Sequence, residues 1–134
     1  MIHSKNQSAI PCPCSSGKNY GQCCLPYHQW QKNPLTAEAL MRSRYSAFAL
    51  QKAEYLIKTW HPQTLPNKLA EEISEAKWID LKIHRSWNSD KPNEAFVEFT
   101  ARYRTRSGKA EKLHETSRFI KQADHWFYVD GKFE

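Results

Sequence analysis

The sequence predicts an α+β fold, in which helices come first and a meander of four antiparallel strands follows a short cysteine-bearing segment. Three observations carry this reading. All four cysteines, Cys12, Cys14, Cys23 and Cys24, lie in one short stretch near the N-terminus. Apolar residues then recur at helical spacing between Ala37 and Phe48. From Lys77 onward the spacing changes to two. A chain of 134 residues is of single-domain size. Its organisation divides into a knuckle and linker over residues 1–34 and an α+β body over residues 35–134.

Each element has its own signals. Thr36 can cap a helix that starts at Ala37, because its hydroxyl can accept from a free N–H of the first turn. Ala37, Leu40, Met41, Tyr45 and Phe48 fall near one face of that helix. A shorter helix around Ala53–Trp60 must end by His61, since Pro62 disfavours helical geometry in the residue before it. A third is expected from Pro66 to about Ala76, burying Leu69 and Ile73. In the first strand Ile79, Leu81 and Ile83 are expected inward, alternating with Asp80, Lys82 and His84. In the second, Ala95, Val97, Phe99, Ala101 and Tyr103 alternate with polar neighbours and Phe96. Asn88 to Asn93 and Ser107-Gly108 are turns by composition. Lys112–Gln122 and Trp126–Asp130 form the last two strands, joined near Ala123-Asp124.

Composition narrows the functional class. Hydrophobic residues at 40% and aromatics at 13% argue against disorder despite a mean hydropathy of -0.80. No apolar run is long enough to span a bilayer, and Met1 to Ile10 lack a signal-peptide core, so a cytoplasmic location is expected. The net charge of +6 is spread thinly. Arg102, Arg104 and Arg106 share a strand face that could contact phosphates, yet such a stripe is more often a solvated edge. Charge therefore supports nucleic-acid binding only weakly, and a protein partner is the better expectation.

The cysteines make the sharpest chemical statement. Cys-x-Cys, eight residues, then Cys-Cys can supply four soft ligands to one structural zinc ion per chain, with Gly17 and Gly21 allowing the loop to turn. Four thiolates would close the shell and leave no position for water, so the metal would be scaffold rather than catalyst. Pro11 to Cys24 resembles the SEC-C zinc motif, with Ser15 where the motif usually has glycine. Ala37–Phe48, Thr59-Trp60-His61-Pro62, His114–Phe119 and Trp126–Gly131 together resemble the YchJ-like family of bacterial proteins. That resemblance implies a nuclear transport factor 2-like (cystatin-like) body, a cone of helices on a curved antiparallel sheet. It implies no activity.

Two candidate sites follow. The knuckle loop would present Lys18, Asn19, Tyr20 and Gln22 to a protein partner, making the chain a zinc-binding adaptor; this is the leading expectation. The second candidate is a small pocket inside the cone. It would draw on Arg42, Arg44, Tyr45, Trp60, His61, Glu115, Ser117, Trp126 and Tyr128. Glu115 or His61 could serve there as acid or base, but a structural Glu115 paired with Arg42 or Arg44 is the favoured reading. No nucleophile–base pair is identifiable; a small-molecule-binding or enzymatic domain using the cone interior is the alternative, with RNA or ribosome association third. His28, just after the knuckle, is expected at the surface.

Overall fold

The computed structural model describes residues 8–67, 69 and 76–134. Its elements are a 3-10 turn at Tyr20–Gln22, helices α1 (Leu25–His28), α2 (Ala37–Ala49) and α3 (Ala53–Lys58), and strands β1 (Lys77–Asn88), β2 (Glu94–Arg104), β3 (Ala110–Gln122) and β4 (His125–Phe133). The strands form one antiparallel sheet in the order β1-β2-β3-β4. The architecture is thus α+β. The helix expected over Pro66 to Ala76 falls mostly outside the described residues; Leu69 is described and buried, and Ile73 is not.

Helix α2 starts where the capping chemistry places it. Thr36 has extended backbone, and its Oγ1 accepts from the Ala39 N–H at 3.0 Å. Burial extends beyond one stripe: Ser43, Arg44, Ser46 and Ala47 are enclosed along with Ala37, Leu40, Met41 and Tyr45. The cysteine segment packs on one flank of α2 and the sheet on the other. One continuous core accordingly joins Cys12, Cys14, Tyr20 and Cys24 to Leu40, Met41, Tyr45, Leu81, Val97, Phe99 and Phe119.

The sheet departs from simple alternation at defined points. A bulge in β1 between Trp78 and Asp80 inserts one residue into the period. Trp78 then packs on the core and Leu81 is buried, while Ile79, expected inward, is 40% exposed. Another irregularity, after the one in β1 between Ile83 and Arg85, lies between Arg118 and Phe119 and shifts β4 so that Tyr128 opposes Phe119 and Gly131 opposes Ser117. The β3–β4 turn carries Ala123 and Asp124 at φ of 51° and 64°, the paired left-handed geometry of a tight hairpin. The outer edge of β4 is covered by the chain after α3, where the Tyr128 N–H donates to the Thr59 carbonyl and the His61 N–H donates to the Tyr128 carbonyl.

Thr36→Ala removes the side-chain cap of α2 without touching the core. It should lower stability by about 1 kcal/mol, read as a shifted midpoint in urea denaturation with an unchanged slope.

Candidate metal centre and ligand cavity

The cysteine loop is a small hairpin. The Cys12 N–H donates to the Lys18 carbonyl, the Tyr20 N–H to the Ile10 carbonyl, and the Ser15 N–H to the Cys12 carbonyl. Gly17 sits at φ 89°, a conformation that glycine adopts without strain. Ser15 occupies the left-handed region too, at φ 66°. Its hydroxyl accepts from the Leu81 N–H at 3.1 Å, which offsets the cost of that backbone and ties the loop to β1.

The four sulfurs converge. All are free thiols, and every pair of Sγ atoms lies within 4.8 Å. The Cys14–Cys23 and Cys23–Cys24 separations are 3.6 Å and 3.9 Å. Four thiolates around an ion with bonds of about 2.3 Å stand about 3.8 Å apart, so the donor set fits a tetrahedral centre. Titration agrees with this. Hydrogen bonds from the Cys12 and Cys24 thiols hold Cys14 far below the usual thiol range. The same bonds, with burial, push Cys24 far above it, and burial pushes Cys23 up to about 11. Neighbouring thiolates repel one another, and a cation among them favours their ionisation. Hydroxyls stand ready to stabilise that charge: Ser46 lies 3.3 Å from Cys24 and 3.4 Å from Cys12, and Ser16 lies 3.1 Å from Cys23.

Of two residues expected at the surface, Tyr20 is buried and His28 half-buried in this attachment. Tyr20 is fully buried, and its hydroxyl lies 2.6 Å from His28 Nδ1. His28 Nε2 lies 2.8 Å from the Ser43 carbonyl, which can only accept. The proton must therefore be on Nε2, and the Tyr20 hydroxyl donates to Nδ1. Burial lowers the His28 pKa, in keeping with this neutral bridge. His28 is thus a strut between loop and helix. The expected partner surface loses Tyr20, while Lys18, Asn19 and Gln22 remain exposed.

Between α2 and the sheet lies a cavity of about 260 Å³. Of the nine residues expected in a pocket, it brings together Arg44, Tyr45, Trp60, Glu115, Ser117 and Tyr128. The other three point elsewhere. Arg42 lies on the knuckle flank of α2, donating to the Cys14 carbonyl at 2.8 Å and to Glu38 at 3.4 Å. His61 packs edge-on against Phe127, and its Nδ1 accepts from the Gln63 N–H. Trp126 donates from its indole to the Leu35 carbonyl. A helix presents successive residues to different neighbours, so Arg42 and Arg44 diverge although both are arginines on α2.

The expected Glu115–Arg pair is not formed. Glu115 Oε2 accepts from Ser117 Oγ at 2.6 Å and from the Tyr128 hydroxyl at 3.0 Å. Burial raises its pKa, and these bonds oppose the rise without cancelling it. Arg44 instead donates through Nη1 to the Leu56 carbonyl at 3.0 Å and to Thr59 Oγ1 at 2.7 Å. Its guanidinium lies beside the edge-on pair of Trp60 and Tyr128, 4.9 Å and 4.8 Å from their centroids. The sequence reading missed Gly131, where a Cβ would collide with the Glu115 carboxyl; its glycine is required for space. A glycine inside a predicted strand was the available signal.

The proposed phosphate stripe is partly spent on internal contacts. Arg102 pairs with Asp80 across β1 and β2, and Arg104 donates to the Gly108 carbonyl. No described helix is long and apolar enough to cross a membrane.

Comparison with known proteins places these features in context. The family model described as YchJ, middle NTF2-like domain, matches residues 36–131, and the SEC-C motif model matches residues 10–26. A UPF0225 protein of Bordetella parapertussis is 45% identical over 127 residues, covering 92% of this chain and 93% of its own. Among solved structures, a SEC-C motif containing protein from Rhodopseudomonas palustris is similar at TM-score 0.80 and 33% identity, covering 92% of this chain and 98% of its own. Another, from Psychrobacter arcticus, has TM-score 0.81 and 31% identity, covering 96% of this chain and 85% of its own.

Gly131→Ala forces the Glu115 carboxyl from its position. It should cost about 1–3 kcal/mol in chemical denaturation, whereas Gly17→Asn, at a left-handed position open to solvent, should cost less.

Proposed function

The chain belongs to the YchJ-like family, as an NTF2-like domain carrying a SEC-C motif, and on that premise we propose that it is a zinc-stabilised binding domain holding a small, mostly apolar molecule between α2 and the sheet. The observation that carries this is the cavity itself. Its wall is formed by Met41, Phe48, Trp78, Phe99 and Leu113. Into that wall are set a buried carboxyl and a buried guanidinium that do not neutralise each other at contact distance. Apolar lining with a few converging polar groups is the usual composition of a ligand site. This reading stands ahead of a partner-presenting knuckle, which has lost Tyr20, and of RNA association, whose Arg102 is paired.

Zinc is the ion we assign to the cysteines. Thiolate ligands and a closed tetrahedral shell suit it, and leave it without a catalytic position. Its role is to hold α2 over the sheet, because Cys12, Cys14 and Cys24 belong to the same core as Phe99 and Phe119.

Two measurements test these assignments. Elemental analysis of native protein should find one zinc per chain. Removing it with a chelator should lower the melting temperature of the whole domain and expose the Leu81 amide to exchange; a stable, exchange-protected sheet without metal would refute the scaffold role. For the cavity, 2-phenylethanol followed by NMR should shift the methyl resonances of Met41, Ala101 and Leu113. Ala101→Phe, which fills the space, should abolish those shifts; an unresponsive wild-type protein would end the binding reading.

A further inference from the structure

Arg44 is the most unusual group in the chain. It is 3% exposed, and among the described residues only its Nη1 has hydrogen-bond partners, both neutral. Nε and Nη2 have none among the described residues, and the side chain lines the cavity. Burial pulls its pKa down to about 10, which still leaves it charged near neutrality. A buried cation without a facing anion is costly, and two aromatic faces recover only part of that cost. Glu115 supports the charge of Arg44 from beyond contact distance and does not pair with it. Its Oε2 is occupied by Ser117 and Tyr128, and no ion pair joins it to Arg44. The Tyr45 hydroxyl on the same helix is buried and has no partner among the described residues, although Tyr45 also lines the cavity. The site therefore holds unspent donors, a positive charge and an apolar wall.

We infer that the molecule held there is a small carboxylic acid with a compact apolar body, its carboxylate lying against the free edge of the Arg44 guanidinium. This rests on the cavity being a binding site and names what it binds. A planar guanidinium fork matches a carboxylate in two parallel hydrogen bonds, which a lysine could not reproduce. Size agrees: about 260 Å³ is the liquid volume of about nine waters at about 30 Å³ each, enough for a ring and a short acid arm. An amine would meet the charge of Arg44, and Glu115, which could face it, already accepts from Ser117 and Tyr128. A phosphate would bring more charge than one guanidinium in an apolar wall can balance.

The test compares three near-isosteric probes on the full, metal-loaded chain by NMR titration at neutral pH: phenylacetate, 2-phenylethanol and 2-phenylethylamine. Phenylacetate should bind at least ten-fold more tightly than 2-phenylethanol, with shifts centred on Leu113 and Tyr128, and the amine should not bind. Arg44→Met should bring the acid's ten-fold advantage over 2-phenylethanol down to parity, while Arg44→Lys should retain part of it. Equal affinity for acid and alcohol, preference for the amine, or acid binding centred elsewhere overturns the inference and leaves the cavity reading standing. Failure of all three probes overturns both. Should Arg44→Met not fold, the ranking of the probes on the wild-type chain decides alone.

Discussion

Everything in this structure depends on a four-cysteine loop packed against the flank of one helix, with Cys12, Cys14 and Cys24 buried there. A loop with little apolar surface of its own cannot fold independently at this length, and here it does not have to. Cys12 and Cys24 meet Ser46, Cys14 accepts Arg42 through its carbonyl, and Tyr20 reaches Ser43 through His28. Each of these contacts lands on α2. The cysteine centre and the hydrophobic core therefore form one body, and the helix is clamped from one side by polar sulfur chemistry and from the other by the sheet.

That clamp explains how a helix comes to carry polar side chains on every face. Ser46 is buried because its hydroxyl meets the loop sulfurs, and Ser43 because its hydroxyl meets Tyr55 of α3 while its carbonyl receives His28. Arg44 and Tyr45 are buried because the opposite side of the helix closes over a cavity rather than over packed side chains. A cavity between helix and sheet forfeits dispersion energy. The protein tolerates it while also enclosing a guanidinium and a carboxyl, and it leaves Gly131 bare to make room for the latter. Local sacrifices of stability of this kind collect where a protein holds a ligand.

Much of the frame was legible in advance because its signals are local. The Thr36 cap, the end of α3 before Pro62, the strand periods and both hairpin turns depend on residues adjacent in sequence. What escaped was long-range. Ile79 was expected inward, since alternation assumes an unbroken strand, and the bulge that turns it outward arises from pairing with β2. Tyr20 and His28 were expected outside because a loop near a terminus carries no mark of what will cover it. The cavity brings together six of the nine candidate pocket residues, and Arg42, His61 and Trp126 lie elsewhere, because strand alternation and helix phase do not say which neighbour each face meets.

The sequence by itself determined the α+β order, the cysteine set and the presence of a polar interruption at Glu115 and Ser117, since spacing and side-chain type suffice for each. Only the tertiary structure decided that the cysteine loop is part of the core, and that Arg44 and Glu115 share a cavity without pairing. The reason is physical. Whether two buried charges touch depends on where neighbouring hydroxyls and carbonyls satisfy them first, and Thr59, Leu56, Ser117 and Tyr128 reach those groups from elements separated along the chain.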